Sequence, residues 1–464
     1  MASQAIVGVD FGSSRIKAAA YDRAGQLIEV SAVDTPLVQR KDGDDFPVAD
    51  MLAAAAEAIA QLGLPRGTIA AVSTASMGET GTVLGRNGLA DVGFPSWYDS
   101  RGADIIERLA ETWGETFLRN ATGRHFRTAS TVAKLGHLRE ADGPLPDGVF
   151  LGICGALAWQ LTGVAWQEAG LATTSGVFDI TSRDYLTAVW DDAGLGNVDL
   201  PPVRAAGHGE RASTDLARSL GLAEDALVVI AGHDHPVACV GAGVRAGEIA
   251  DSMGTGEAII APMGARGDDR AHLSGAMSSD RYLAFEIWPA DGSIMGVWER
   301  LRPGLAMRTF VEHSELSREE LDAAAPRPAP GSHFRDDHSL AMELAVAPPI
   351  DYSPQMWGHL VDFYVELANR GQRLLRDVSG AQGPAVLTGG GLRSARWRAS
   401  KALLGDGPME VSLVQETGTR GCAAIAGASI GWWTTASDMP GVERLPIGAD
   451  AVADMDAAAH AIGW

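Results

Sequence analysis

Cysteine is scarce: Cys154, Cys239 and Cys422 are the three in 464 residues, and no CxxC pair occurs. That spacing gives no disulfide framework and no cysteine-built zinc site, and it fits a reducing, cytoplasmic setting. Positive charge is also short, with 37 Lys and Arg against 59 Asp and Glu and a net charge of -22. This balance argues against nucleic acid or an anionic membrane surface as the main partner. It does not exclude a nucleotide, because backbone amides and a metal ion can hold phosphate inside an acidic protein. No apolar run reaches about 18 residues, and no basic region leads into a long apolar stretch before Ile6, so neither membrane spanning nor secretion is expected. The GxxxxGK[ST] motif is missing, which argues against a P-loop NTPase. Gly241-Ala242-Gly243 has its next glycine at Gly247, which misses the dinucleotide spacing, and no GxSxG nucleophile elbow occurs.

What is present is ordinary in bulk, with 46% hydrophobic and 21% charged residues. The length predicts about two to three domains. Ile6 to Asp10 reads as a buried strand that runs into a Gly-Ser turn, with further strands over Ile16–Tyr21 and Leu27–Val33 about the turn Asp22-Arg23-Ala24-Gly25. Ala49–Leu62 predicts a helix and Ile69–Ser73 a strand. Strands first, then helix and strand in alternation, predict an α/β layer with a mixed sheet. The plan recurs half a chain later: strand Leu227–Ile230, then Glu248 to Asp251 leading into Met253-Gly254-Thr255-Gly256, then strand Ala258–Ile260. That recurrence predicts a duplicated domain, with the boundary between His235 and Glu248. Ala324–Gly331, with three prolines, reads as a loop. Leu360–Val378 has helical spacing, and Ala385–Thr388 is a strand ending in Gly389-Gly390-Gly391 ahead of a helical run over Ala395–Leu404.

Six segments carry chemistry. Asp10-Phe11-Gly12-Ser13-Ser14 exposes backbone N–H groups and two hydroxyls that suit an anion, with Asp10 placed to hold Mg²⁺ through water; a hairpin turn with an Asp cap is the plain alternative. Gly254-Thr255-Gly256 repeats the pattern, and Asp251 beside it is either a second magnesium contact or, preferably, a structural cap. Gly389-Gly390-Gly391 leaves room for a flat ring against the backbone, as an adenine or ribose site or simply as a flexible connection. Gly232-His233-Asp234-His235 ends an apolar strand in a carboxylate able to accept a hydroxyl proton. A zinc site there would need further ligands, and no HxxxH or CxxC lies nearby. Met77-Gly78-Glu79 and Trp97-Tyr98-Asp99-Ser100-Arg101 combine aromatic, carboxylate and guanidinium groups, which suit a polyol or form an ordinary salt bridge. Trp288 and Trp298 read as core.

Together and in order, these segments resemble the FGGY carbohydrate kinases, within the actin, Hsp70 and sugar kinase superfamily. Asp10 through Lys17 is similar to the first phosphate motif, Trp97 to Arg101 to the family's W-x-D-x-R segment, and Thr131-Val132-Ala133-Lys134-Leu135 with Leu138-Arg139-Glu140 to its N-terminal signature. Gly232-His233-Asp234 resembles the segment of the catalytic base, Gly254-Thr255-Gly256 the second phosphate motif, and Gly389 to Trp397 with Gly418 to Ala424 the adenosine region. The resemblance implies two ribonuclease-H-like domains with mixed sheets flanked by helices, 1–240 for the sugar and first phosphate loop and 241–464 for ATP, and an active site in the cleft between them. It implies ATP and Mg²⁺, and a small sugar such as the ketopentoses xylulose or ribulose, or a related ketose or polyol, as acceptor. Asp234 would be the base; Met77, Glu79, Trp97, Asp99, Arg101 and His235 sugar contacts; Asp10 the metal residue. Gly12, Ser13, Ser14, Lys17, Gly254, Thr255, Gly256, Gly389, Gly390, Gly391 and Ser394 would hold the nucleotide. A homodimer is common in such families. The sequence departs from the pattern at His137, where Trp is usual, at Ala75 to Glu79 in place of Gln-Met-His-Gly, and across Met342–Ile350. An actin- or Hsp70-like switch, or a sugar-binding regulator without turnover, is the rival reading.

Overall fold

The strand β1 (Ala5–Phe11) alternates too little to be an exposed strand: nearly every residue is buried, as expected for a central strand covered on both faces. It pairs antiparallel with β2 (Arg15–Tyr21), which pairs antiparallel with β3 (Leu27–Asp34). On its other side β1 runs parallel to β4 (Ile69–Ser76). Two later strands complete this sheet, β5 (Gly209–Arg211) at the edge and β6 (Leu222–His233) parallel to β4, in the order β5-β6-β4-β1-β2-β3. The computed structural model describes residues 4–254, 256–330, 351–448 and 450–463. Thr255 and the departing run Met342–Ile350 lie outside the described residues.

The second sheet is built from β7 (Ile249–Met253), β8 (Glu257–Pro262), β9 (Leu283–Ile287), β10 (Ile294–Leu301), β11 (Ala385–Thr388), β12 (Met409–Ser412) and β13 (Arg444–Ile447), in the order β9-β10-β8-β7-β11-β12-β13. Its centre repeats the first sheet. β7, β8 and β10 form the antiparallel meander, and β11 and β12 add in parallel beyond β7, as β4 and β6 do beyond β1. The duplication expected from the two Gly-Ser/Thr turns is therefore present in the topology, and the fold is a pair of ribonuclease-H-like α/β units.

Helices cover both sheets. α1 (Val48–Gln61) buries Met51, Leu52, Ala55, Ala58 and Ile59 on one stripe, one residue offset from the expected span. α2 (Thr131–Asp142) carries a fully buried Lys134. α3 (Asp234–Gly241) follows β6 without a break, and α4 (Pro354–Ser379) extends beyond its expected span at its N-terminal side, where Ser353 caps it and Pro354 stands at its first position. α5 (Ala395–Leu404) coincides with its expected span. α6 (Thr417–Ser429) leaves the second half to pack on β1, where a side chain at Gly8 would fall on the Thr419 carbonyl. One apolar cluster sits in the first half, a second is built on the second half with Ala169 and Ile180 from the first, and a third, with Ile6, Ala19, Val229, Val237, Ile260, Val297 and Cys422, draws on both. Trp288 and Trp298 are core, and the three cysteines are buried and unbridged. Among the described residues no helix is long and apolar enough to cross a membrane.

Candidate active site

The first turn is closed by Gly12 N–H to the Arg15 carbonyl at 3.1 Å, and Thr35 braces it from outside. The Thr35 hydroxyl donates to Gly12 O at 2.7 Å and its N–H to Ser14 O at 3.0 Å. Ser14 is exposed, while the Ser13 hydroxyl accepts the Trp97 indole N–H at 3.2 Å, so the aromatic residue of the expected sugar segment is tied to the phosphate turn. Lys17 is engaged across the cleft, 2.8 Å from Glu416. Asp10 ends β1 beneath the turn. Its Oδ1 is buried with no hydrogen-bond partner among the described residues, and burial together with the charge of Asp234 pushes its pKa up to about 7. A buried, unsatisfied carboxylate oxygen next to a phosphate turn fits Mg²⁺, which needs one carboxylate and completes its shell with water and phosphate oxygens. Among the described residues no three His, Cys, Asp or Glu side chains group to hold a metal, so the zinc alternative at His233 and His235 has no support.

Asp234 opens α3, with His233 as the preceding cap residue. Its Oδ1 accepts the His235 N–H at 2.7 Å and lies 3.4 Å from His233 Nε2. The carboxylate is one quarter exposed, and its hydrogen bond and its histidine contact both go to Oδ1. His235, expected at the sugar, instead meets Ser252 of β7 at 3.0 Å, beside the second phosphate turn.

Among the residues expected at the sugar, Met77 is buried and bonds through its N–H to Phe11 O at 3.3 Å. Glu79 is buried, and burial raises its pKa despite nearby Arg124 and His233. Arg124 pairs with Glu286 and lies 3.5 Å from Glu299, which also takes Arg127 at 3.0 Å. The guanidinium of Arg302, from the second half, stands 5.9 Å over the Trp97 ring. Asp99 and Arg101 are a different matter. Asp99 accepts from Ser96, Lys134 and three Arg101 donors, and Arg101 also reaches Asp45 and the Asp44 carbonyl. Both oxygens of Asp99 are saturated: its carboxylate faces the buried Lys134, and Arg101 is balanced in turn by Asp45. The salt-bridge alternative is the one observed there.

The nucleotide side needs three corrections. Gly254 N–H bonds Gly256 O at 2.8 Å, closing the second turn as expected. Asp251 below it is neither metal contact nor cap: it pairs with the buried Lys401 of α5, which also holds Glu257 at 2.8 Å. Of the three glycines, Gly391 is backed by the Trp397 ring and Gly389, at φ +99°, by the Met253 backbone, so Gly390 alone faces open space. Ser394 is a buried helix cap, accepting from Trp397 N–H at 3.1 Å and donating to Asp322 at 2.9 Å.

Residues 5–241, just over half the chain, match the N-terminal domain model of the FGGY family of carbohydrate kinases. The chain belongs to that family. Its relatives include an L-fuculokinase of Salmonella typhi, 25% identical over 456 residues and covering 93% of each chain. An autoinducer-2 kinase of Escherichia coli K12 is 25% identical over 476 residues, covering 93% of this chain and 87% of its own. Among solved structures, a xylulose kinase from Rhodospirillum rubrum superposes with a TM-score of 0.77 at 17% identity, covering 99% of this chain and 97% of its own. A gluconate kinase from Lactobacillus acidophilus does so with 0.76 at 17%, over the same shares.

This FGGY kinase is thus a phosphotransferase from ATP to an alcohol group, and the actin- or Hsp70-like alternative falls away. Sequence reasoning did not find Arg124, Glu286, Glu299, Thr35 or Glu416. Arg124 and Glu286 are 162 positions apart, and no local pattern marks either one. The signature segment around Lys134 was the one available signal for the Asp99 network.

Proposed function

We propose that Asp234 takes the proton from a hydroxyl of a small neutral ketose or polyol while the γ-phosphoryl group of ATP passes to that oxygen. As the acceptor O–H bond breaks toward Oδ2, the new O–P bond forms and the bond from the γ-phosphorus to the bridging oxygen breaks, releasing ADP. The observation that carries this reading is the partly exposed Asp234 carboxylate, engaged through Oδ1 alone and close enough for its charge to act on Asp10. Asp10 would hold Mg²⁺, which supplies charge neutralisation for the phosphates when bound. The Gly12–Ser14 and Gly254–Gly256 turns and Gly390 would receive the nucleotide, with Lys17 exchanging Glu416 for phosphate. Residues 1–240 would carry the sugar and 241–464 most of the ATP contacts. Glu79, Met77 and the Trp97 face would meet the sugar, as aromatic faces and buried polar groups do for polyols.

The acceptor belongs to the chemistry that an L-fuculokinase or a ketopentose kinase handles. A coupled ADP-release assay over pentuloses, hexuloses and polyols identifies it by acceptor dependence. On that acceptor, Asp234→Asn is expected to lose at least 100-fold in kcat with ATP binding intact, in line with general-base removal. Wild-type turnover by this variant would refute the assignment of the base.

A further inference from the structure

Asp234 does not stand alone in the cleft. Glu286, at 1% side-chain exposure on edge strand β9, uses one oxygen for Arg124 and the other for His233 Nδ1 at 3.0 Å. His233 Nε2 then lies 3.4 Å from Asp234 Oδ1, a charge contact rather than a hydrogen bond, and the same oxygen takes the His235 N–H. An imidazole hydrogen-bonded at Nδ1, with a carboxylate beside Nε2, has one favoured ring orientation. We propose that His233 is a positioning residue: held by Glu286 across the cleft, its imidazolium fixes Oδ1 of Asp234 and leaves Oδ2 for the acceptor hydroxyl. This rests on the reading of Asp234 as the base.

The charged groups around the ring support a protonated His233. Glu286 faces it from β9, Asp234 from α3, and Glu79 from the segment after β4. Glu168, before the short helix Ala169–Thr173, and Arg124, behind Glu286, complete the shell, and the His235 ring lies 6.5 Å away. Burial disfavours the charged ring, yet the three carboxylates raise its pKa to about 9. Because Glu286 comes from the second half and Asp234 from the first, the base is oriented only while the two halves are apposed.

The test is the pH profile of kcat for wild type, Glu286→Gln, His233→Gln and, in parallel, Asp234→Asn. Wild type is expected to lose turnover as pH rises through about 9, when the imidazolium gives up its proton. Glu286→Gln should move that alkaline limb toward the ordinary histidine value of about 6.5, a loss of roughly 30-fold at about pH 8 that recovers at about pH 6. His233→Gln should lower kcat roughly tenfold or more and flatten the alkaline side, with KM for ATP unchanged. A purely structural histidine would not move the limb. An unmoved limb in folded Glu286→Gln overturns the positioning role while an inactive Asp234→Asn keeps the base; an active Asp234→Asn overturns the base itself. If neither His233 nor Glu286 variant folds, the wild-type profile decides, since a kcat that stays flat up to about pH 10, a full unit beyond the ring's value, overturns the proposal.

Discussion

At the scale of single residues, the contrast between Asp10 and Asp251 separates function from structure. Both are buried carboxylates on the first strand of their sheets. Each keeps an Oδ1 without a hydrogen-bond partner, but Asp251 Oδ2 takes Lys401 and Gln372, whereas the Asp10 carboxylate has no ion pair of its own among the described residues. The Asp10 pKa of about 7, against 3.8 for the exposed group, makes a stability statement. As pH rises from about 4 to 7 the unfolded chain gives up a proton that the folded one keeps, so stability falls across that window and the cost is complete above it. Asp10→Asn removes the cost. It is expected to be more stable than wild type at about pH 8, by about 2–4 kcal/mol, with the advantage shrinking toward about pH 4 and turnover falling at least 100-fold. Urea unfolding of both proteins, without Mg²⁺ or nucleotide, checks it; a less stable variant at pH 8 would mean that Asp10 is paired. Asp10 was legible in the sequence because a strand end and a Gly-Ser turn are local features. The Arg124–Glu286–His233 chain was not, because its members meet through the tertiary fold alone.

At the scale of elements, the sequence was readable wherever periodicity or punctuation decides. The strand–turn–strand units about Gly12 and Gly254 and the helix over Ala395–Leu404 follow from apolar runs and glycines that need no partner to be recognised. What each glycine does was not readable, since only packing distinguishes Gly389, Gly390 and Gly391. Gly389 combines a left-handed backbone with Met253 against it, and Gly391 lies under Trp397. Gly389→Ala is expected to cost about 2–4 kcal/mol of stability through strain and collision. Gly390→Ala, with nothing within 4 Å of the added carbon, should change stability by less than about 0.5 kcal/mol yet raise KM for ATP. Thermal unfolding beside ATP titrations separates the two; equal stability losses would place Gly390 inside the packing rather than on the nucleotide. The same limit applied to Ser394, whose place after three glycines fitted a nucleotide contact and whose N-cap geometry makes it structural.

For the whole molecule, the decisive feature is that the two halves share a core. α6 comes from the second half in sequence, but its Cys422 thiol bonds the Val9 carbonyl at 3.5 Å, and Gly421 lies directly on the Val237 carbonyl of α3. Gly241 in turn abuts Thr417 O, so the two helices cross at backbone contact with no side chain between them. The third apolar cluster then joins Ile6, Ala19 and Val229 to Ile260, Val297 and Val386. The Lys17–Glu416 pair adds little to this, since a partly exposed ion pair contributes roughly 0–1 kcal/mol and can be exchanged for phosphate at small cost. Apolar burial therefore holds the cleft together while its charged rim stays free to exchange partners. It follows that residues 1–241 expressed alone should not reach a native state, because Ile6, Ala19 and Val229 would face water. The fragment is expected to bind a hydrophobic dye and to lack a cooperative unfolding transition, and mixing it with 242–464 should restore acceptor-dependent ATP consumption. Calorimetry of the first fragment decides: a sharp transition of its own would mean that the halves are autonomous and that the shared cluster is an interface laid over two complete cores.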